Sequence, residues 1–328
     1  MKNTWESILK EKNIKIKEYC INNDNPSAFP LSIFAILEIT GNDRYAFLQN
    51  QFTNDLDNKK STSQLSAWCN PKGKVIANFI IINTKSNYLL IFKKDLKDYV
   101  FKKLNMYILR SEVTINDVSD LYLLLGLSNL NKLELNNSSI LLDDGDVEFI
   151  NKQYITRLPD FSGRYLIAGN IESFANTIEE LKEKIEFVND TAWELLDILS
   201  KIPWITFENK ERYLPQMINL DKLKAVSFKK GCFTGQEIIA RIHYRGRVKQ
   251  CLELIKSKYE IHAGCYLYLK NTGKKVGEIL NSSYKIDDVF FGLAVIESDK
   301  LDNELFADRL EKEKINIIPY CINDITQH

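Results

Sequence analysis

The nine residues Lys229-Lys230-Gly231-Cys232-Phe233-Thr234-Gly235-Gln236-Glu237 hold the densest chemistry in the chain. A cysteine reacts as its thiolate, which nearby cations or a helix N-terminus stabilise. Lys229 and Lys230 come just before Cys232, and a helix is predicted from about Gln236, with Ile238, Ile239 and Ile242 on one face. Glu237 and Arg241 stand four apart with the acid first, the order helical pairs prefer. Gly231 and Gly235 permit positive φ and close backbone approach, and the unpaired amides opening the helix suit an anion. The stretch is no phosphate-binding P-loop, because Gln-Glu follows the second glycine where Lys-Ser/Thr is required. Packing is an equally plain reading: free cysteines are among the most buried residue types, and a Gly-Cys-Phe turn can plug a core. Residue types alone leave both readings open. His243 lies eleven residues beyond Cys232, a spacing that does not imply a Cys–His pair, and it reads as a surface or partly buried side chain.

The elements that must position this loop follow from periodicity. Strand-like runs recur from residue 31, and Tyr45, Leu48, Phe52 and Leu56 fall at helical spacing, read as core packing. "SQLSAWCN", the turn "PKGK" and "VIANFIIIN" predict two antiparallel strands joined by a hairpin. "KDLKDYVFKKLNMYIL", "IESFANTIEELKEKI" and "DTAWELLDILSKI" read as helices, whereas residues 204–228 show little periodicity and form a long packed connection. Beyond residue 246 helices vanish, and six short strands with turns between them fit a small β-barrel. Hairpins mixed with helices indicate an α+β fold. The boundaries read as residues 1–246, with lobes of about 1–137 and 138–246, followed by a barrel over 247–328.

Bulk properties narrow the classes. With 328 residues, 45% hydrophobic and 27% charged, the chain has globular composition and room for more than one domain. Forty-four basic residues balance forty-four acidic ones, which disfavours a protein that coats a nucleic-acid backbone. The charged N-terminus is unlike a signal peptide, and no apolar run approaches the roughly 20 residues of a membrane span. A soluble cytoplasmic protein with no membrane partner is expected. Six scattered cysteines without a CxxC pair, and three histidines, point to no resident metal.

"SFKKGCFTGQEIIAR" resembles the signature of the YgfZ family, folate-binding relatives of the glycine-cleavage T-protein, an aminomethyltransferase. "ITGNDRYAFLQNQFTNDL", "NPKGKVIANF", "YILRSEVTIND", "WELLDILSKIP" and "YLPQMINLDKLKAVSF" follow in that family's order, and "KKVGEIL" and "FGLAVI" resemble its C-terminal barrel. The resemblance implies a T-protein-like fold of two mixed lobes around a folate-sized opening, plus the barrel. It implies tetrahydrofolate or another folate as ligand, and a role in assembling or repairing iron–sulfur clusters on which tRNA modification depends. Partners would be iron–sulfur proteins or cluster-assembly factors, with tRNA involved indirectly. Phe34 and Trp193 match positions whose rings lie against the folate in the family. Phe34 stands where relatives often carry Trp, keeping a π-face but losing the indole N–H.

Two departures bear on the chemistry. The T-protein uses an acid near its first hairpin, but Cys69-Asn70-Pro71-Lys72-Gly73-Lys74 carries no carboxylate. Relatives commonly have Glu-Ala-Gly where this chain has Leu199-Ser200-Lys201, so that carboxylate is missing as well. The leading expectation is an accessory protein with Cys232 as functional thiol, supported by Lys229, Lys230, Gln236, Glu237 and Arg241. The alternatives are a folate-dependent one-carbon transferase and a direct tRNA-binding factor. The last would use a basic strip of Lys229, Lys230, Arg241, Arg245, Arg247 and Lys249, whose plainer reading is a solvated face.

Overall fold

The computed structural model describes residues 5–19, 25–56, 60–130, 132–135, 138–159, 163–286, 288–307 and 314–318; Cys20 and Cys321 lie outside the described residues. Six α-helices occur among them: α1 (Trp5–Glu11), α2 (Arg44–Gln51), α3 (Lys97–Asn105), α4 (Phe174–Leu181), α5 (Asp190–Leu199) and α6 (Gln236–Arg245). No helix among the described residues is long and apolar enough to cross a membrane. The chain divides into two compact units. One comprises Met1–Leu48, Leu56–Leu65 and Phe79–Trp193, the other Gln49–Asp55, Ser66–Asn78 and Glu194–His328.

The first unit contains a six-stranded sheet in the order Val147–Ile150, Gln153–Arg157, Tyr165–Asn170, Tyr122–Ser128, Ser27–Leu31, Glu186–Phe187. Its strands come from both sides of residue 138, and only the Ser27–Leu31 pairing with Glu186–Phe187 is parallel within it. Helix α4 sets Phe174, Ile178 and Leu181 on one buried face, as a 3.6-residue period requires. Trp5 meets Phe174 edge-on at 5.3 Å between centroids, and its Nε1 donates to the Leu124 carbonyl at 3.1 Å. A second set of antiparallel strands in this unit runs Ile80–Asn83, Tyr88–Lys93, Phe34–Thr40, Thr114–Asp117.

Residues 45–56 do not form one helix. Helix α2 stops at Gln51, and Phe52 leaves it to make an antiparallel bridge with Trp68. Leu48, Phe52 and Leu56 are nonetheless buried, as the core reading requires. A helix face and an inward bridge residue give the same apolar spacing over so short a run.

In the second unit, Gln250–Ser257, Phe290–Glu297, Lys275–Ser282, Tyr266–Leu269, Leu305–Phe306 and Lys314–Ile318 close into a barrel in that order. All six predicted strands are present. Register shifts at Leu267/Tyr268 and Ile279/Asn281 supply the local bends that closure needs. Ile255, Ile261, Leu267, Val276, Ile279, Ala294 and Ile296 fill the interior.

Residues 204–228 contain no strand or α-helix, only a short 3-10 turn at Pro215–Ile218. Asparagine amides stand in for a ladder at the start of this segment. Asn78 donates from Nδ2 to the Pro203 carbonyl at 2.8 Å and accepts from the Ile205 amide at 2.9 Å. Asn281 treats Trp204 the same way, accepting from its amide at 3.0 Å and donating to its carbonyl at 2.9 Å. Asn209 accepts from the Thr206 amide and donates to the Leu280 carbonyl. Buried backbone groups must be paired, and here side chains pair them.

Lys201 sits at φ +53°, a left-handed conformation that glycine adopts freely and lysine rarely does. This is the place where relatives are expected to carry Gly. The lysine is held by an ion pair to Glu253 at 2.8 Å, with side chains only 11% and 19% exposed.

Candidate functional site

The loop around Cys232 is built on the hairpin Asn70–Lys74. Asn70 folds that hairpin: its Oδ1 accepts from the amides of Lys72 (2.9 Å) and Lys74 (3.0 Å), and its own amide donates to the Lys74 carbonyl. Gly73 lies at φ +72°, and a Cβ there would press on Leu214, Ile238 and Ile239 at 3.2–3.3 Å. Gly235 lies at φ +83° as the residue capping α6, and a Cβ there would meet the Asn70 carbonyl oxygen at 2.6 Å and Gly73 Cα at 2.9 Å. Two glycines thus let two backbones touch. Gly231 does neither job expected of it, since its φ is not positive and nothing lies within 4 Å of a Cβ placed there.

Between these points the loop is pinned by Lys230 and Phe233, both buried. The Lys230 ammonium donates to the carbonyls of Phe52 (2.8 Å) and Asn54 (2.7 Å) and lies 5.5 Å from the Phe233 ring centroid. Burial pulls its pKa down from 10.5 to about 8, with Asp55 acting in the opposite sense. Lys230 therefore works as a strut, with its charge directed at backbone carbonyls. Lys229 is the exposed cation of the loop. Gln236 reaches back toward the carbonyls of Lys230 and Gly231 at 3.5 and 3.4 Å, at the weak end of hydrogen bonding.

Cys232 itself is exposed, whereas Cys69 is buried and Cys251 and Cys265 are half-buried. Burial pushes the Cys69 thiol above its ordinary range, away from thiolate chemistry. Phe233 fills the core position that the packing reading offered to the cysteine. Helix α6 begins at Gln236 as predicted, and Ile239 is its buried anchor. Glu237 and Arg241 are both exposed, and among the described residues no ion pair joins them. His243 lies face-to-face on Phe228, with ring centroids 3.6 Å apart and planes at 12°.

Sequence reading missed one group here. Glu211 brings a carboxylate to the hairpin that lacks its own, and its Oε2 accepts from Asn70 Nδ2 at 2.9 Å. The two residues are 141 positions apart, and nothing local marks Glu211 as the partner.

The two expected folate rings belong to the first unit. Asp190 at the start of α5 accepts from both the amide and the hydroxyl of Ser32, and Asn189 caps the helix by accepting from the Ala192 amide at 3.1 Å. Trp193, one turn on, is 1% exposed. The Arg164 guanidinium carbon lies 4.2 Å from its ring centroid, Phe29 meets it edge-on at 5.4 Å, and Gly126 leaves room for the indole where a Cβ would come within 2.4 Å of it. Phe34 lines a cavity of about 140 Å³ with Trp5, Ile36, Tyr122 and Leu124, and Lys93 Nζ lies 5.1 Å from its ring centroid. Small-ligand pockets run from about 300 Å³ upward. As the side chains stand, the Arg164 guanidinium lies over the Trp193 ring, and Phe34 opens on the small cavity.

Comparison with known proteins agrees with this architecture. The GCVT N-terminal domain family matches residues 13–128. The crystal structure of glycine cleavage system aminomethyltransferase T from Bartonella henselae superposes with a TM-score of 0.72, covering 96% of this chain and 89% of that one at 16% identity, a likeness of fold. The tRNA-modifying protein YgfZ of Buchnera aphidicola subsp. Schizaphis graminum is 34% identical over 236 residues, 71% of this chain and 74% of that protein. The protein of the same name from Photobacterium profundum is 31% identical over 303 residues, 90% of this chain and 91% of that protein. The resemblance first carried by the Cys232 loop thus extends along the chain, which belongs to the YgfZ family.

Proposed function

We propose that this chain is an accessory protein in tRNA modification, acting through the thiol of Cys232 in the assembly or repair of the iron–sulfur clusters that some modifying enzymes require. The observation that carries the reading is the presentation of Cys232. An exposed thiol sits on a loop fixed from beneath by Lys230 and Phe233 and from the side by the glycine contact at Gly235. Structural cysteines are buried and inert, and reactive ones are accessible. Tethering such a thiol to a stiff loop suits contact with a partner protein, an iron–sulfur protein or an assembly factor. The relatives' name supports the tRNA-modification part. The one-carbon-transferase alternative has less behind it, because the hairpin carboxylate comes from Glu211 and is engaged by Asn70.

In cells lacking the endogenous protein, Cys232→Ala is expected to leave cluster-dependent tRNA modification unrestored, while wild type restores it. The purified variant should melt at the wild-type temperature, because an exposed side chain outside a cap or core changes stability by no more than about 0.5 kcal/mol. Full rescue by Cys232→Ala would end the thiol reading.

Folate is the small molecule we assign to the first unit, on the condition that Arg164 leaves the face of Trp193. Arg164→Ala is then expected to tighten tetrahydrofolate binding, measured by quenching of tryptophan fluorescence with Trp193→Phe as the control. Stacking on an indole contributes about 0.5–1.5 kcal/mol, so a several-fold gain is the scale to look for. Absence of saturable binding in both wild type and Arg164→Ala would remove folate from the proposal.

A further inference from the structure

Although the whole chain is neutral, residues 222–249 carry eight lysines and arginines against one acid, Glu237. Lys230 is withdrawn from this set by burial. Lys229, Arg241, Arg245, Arg247 and Lys249 are exposed, and among the described residues none of the five is in an ion pair. On α6, Arg241 and Arg245 stand one turn apart, while Ile239 faces the core. Cations in the last turn of a helix complement its dipole, which accounts for Arg245 but not for Arg241 one turn earlier. Arg247 and Lys249 lie past the end of the helix and are not explained that way.

The same end of α6 carries an aromatic cluster. Phe228 stacks flat on His243, and Tyr244 meets His243 edge-on at 4.8 Å and 81°. Tyr244 is 67% exposed, so most of its ring is accessible to a partner. The stack also fixes Lys229, next to Phe228, beside the helix end. Asp221 lies beside Lys222 and near enough to His243 to feel its charge; burial raises its pKa from the ordinary carboxylate value. Cations supply phosphate contacts without regard to sequence. Exposed rings supply stacking platforms for bases that are not paired. A duplex offers no free base face, and an acidic polypeptide has no use for the rings.

We propose that the C-terminal end of α6, with Tyr244, His243 and Phe228 among Arg241, Arg245 and Arg247, is a docking surface for unpaired nucleotides of an RNA. This rests on the tRNA-modification reading and deepens it, by having the protein touch the RNA whose modification it supports. Outside this segment the chain is net acidic, with 36 basic residues against 43 acidic ones, which restricts contact to a few phosphates, so binding should be local.

The test is fluorescence anisotropy of the full chain with an unmodified tRNA transcript over a range of potassium chloride. The logarithm of affinity should fall with the logarithm of salt at a slope of about −2 to −4, as three to five neutralised phosphates require. Arg245→Glu with Arg247→Glu should weaken binding at least about 10-fold and flatten the slope by about one or more. Tyr244→Ala should weaken tRNA binding about 10-fold and leave binding of a blunt RNA duplex unchanged. All three residues are exposed, so melting should stay at the wild-type temperature, and Arg245→Gln with Arg247→Gln is the fallback if charge reversal disturbs folding. Equal affinity of wild type and these variants, equal effects of Tyr244→Ala on duplex and tRNA, or full competition by polyglutamate would each overturn the surface. No saturable tRNA binding, together with lost rescue by Cys232→Ala, would remove the surface and leave the functional reading standing. Full rescue by Cys232→Ala with tRNA binding intact would do the reverse.

Discussion

Replacing Lys230 with methionine is expected to lower the free energy of unfolding by about 2–4 kcal/mol, measured by urea denaturation. The methionine fills the same channel but cannot donate to the carbonyls of Phe52 and Asn54, so both hydrogen bonds are lost. The loss should depend on pH in a definite sense. Lys230 has a folded pKa of about 8 against 10.5 unfolded, so between those values the unfolded chain binds a proton that the folded chain does not. Stability of the wild type relative to Lys230→Met should therefore rise as pH climbs from about 8 toward 10. The neutral amine keeps two N–H groups, enough for both carbonyls. A difference that stays flat over this range would mean that the ammonium is solvated, and the strut would have to be abandoned.

Gly235→Ala is expected to have an effect of comparable size, about 2–4 kcal/mol. A left-handed residue with a side chain costs about 1–3 kcal/mol, and the new methyl would also sit 2.6 Å from the Asn70 carbonyl oxygen. Backbone has to move to relieve that contact, either the hairpin or the Cys232 loop. The variant should accordingly change the rate at which a thiol reagent labels Cys232 in the folded protein, beyond what lost stability explains. Gly231→Ala provides the contrast, since it meets nothing within 4 Å and needs no positive φ. It should fall within about 0.5 kcal/mol of wild type. Equal costs at the two glycines would show that the hairpin contact does not hold the loop.

How far the fold was legible can be seen by comparing two regions. The barrel strands were readable because each is a short apolar run bounded by turn residues, signals that need no distant partner. The start of α6 was readable for the same reason, from glycine followed by isoleucines at helical spacing. The Cys232 loop was legible in composition but not in the work each residue does. Two adjacent lysines look alike in sequence, yet Lys230 runs inward to residues more than 170 positions away while Lys229 faces solvent. Glu211 beside Asn70 and Arg164 over Trp193 were invisible because each is set by tertiary contact alone. Trp193 illustrates the limit: nothing near it in sequence marks the guanidinium of Arg164 as the group over its ring.

The asparagines that brace residues 203–209 make the connector depend on the chemistry of the amide. A peptide group in a sheet keeps its donor for the life of the chain, but a side-chain amide can hydrolyse to a carboxylate. At Asn281, which donates to the Trp204 carbonyl and is followed by the small Ser282, that conversion would replace an attraction with two facing acceptors. At Asn78, 3% exposed, it would also bury a charge. A carboxylate at either place would therefore loosen the connector between α5 and the Cys232 loop, whose order hangs on two side-chain amides.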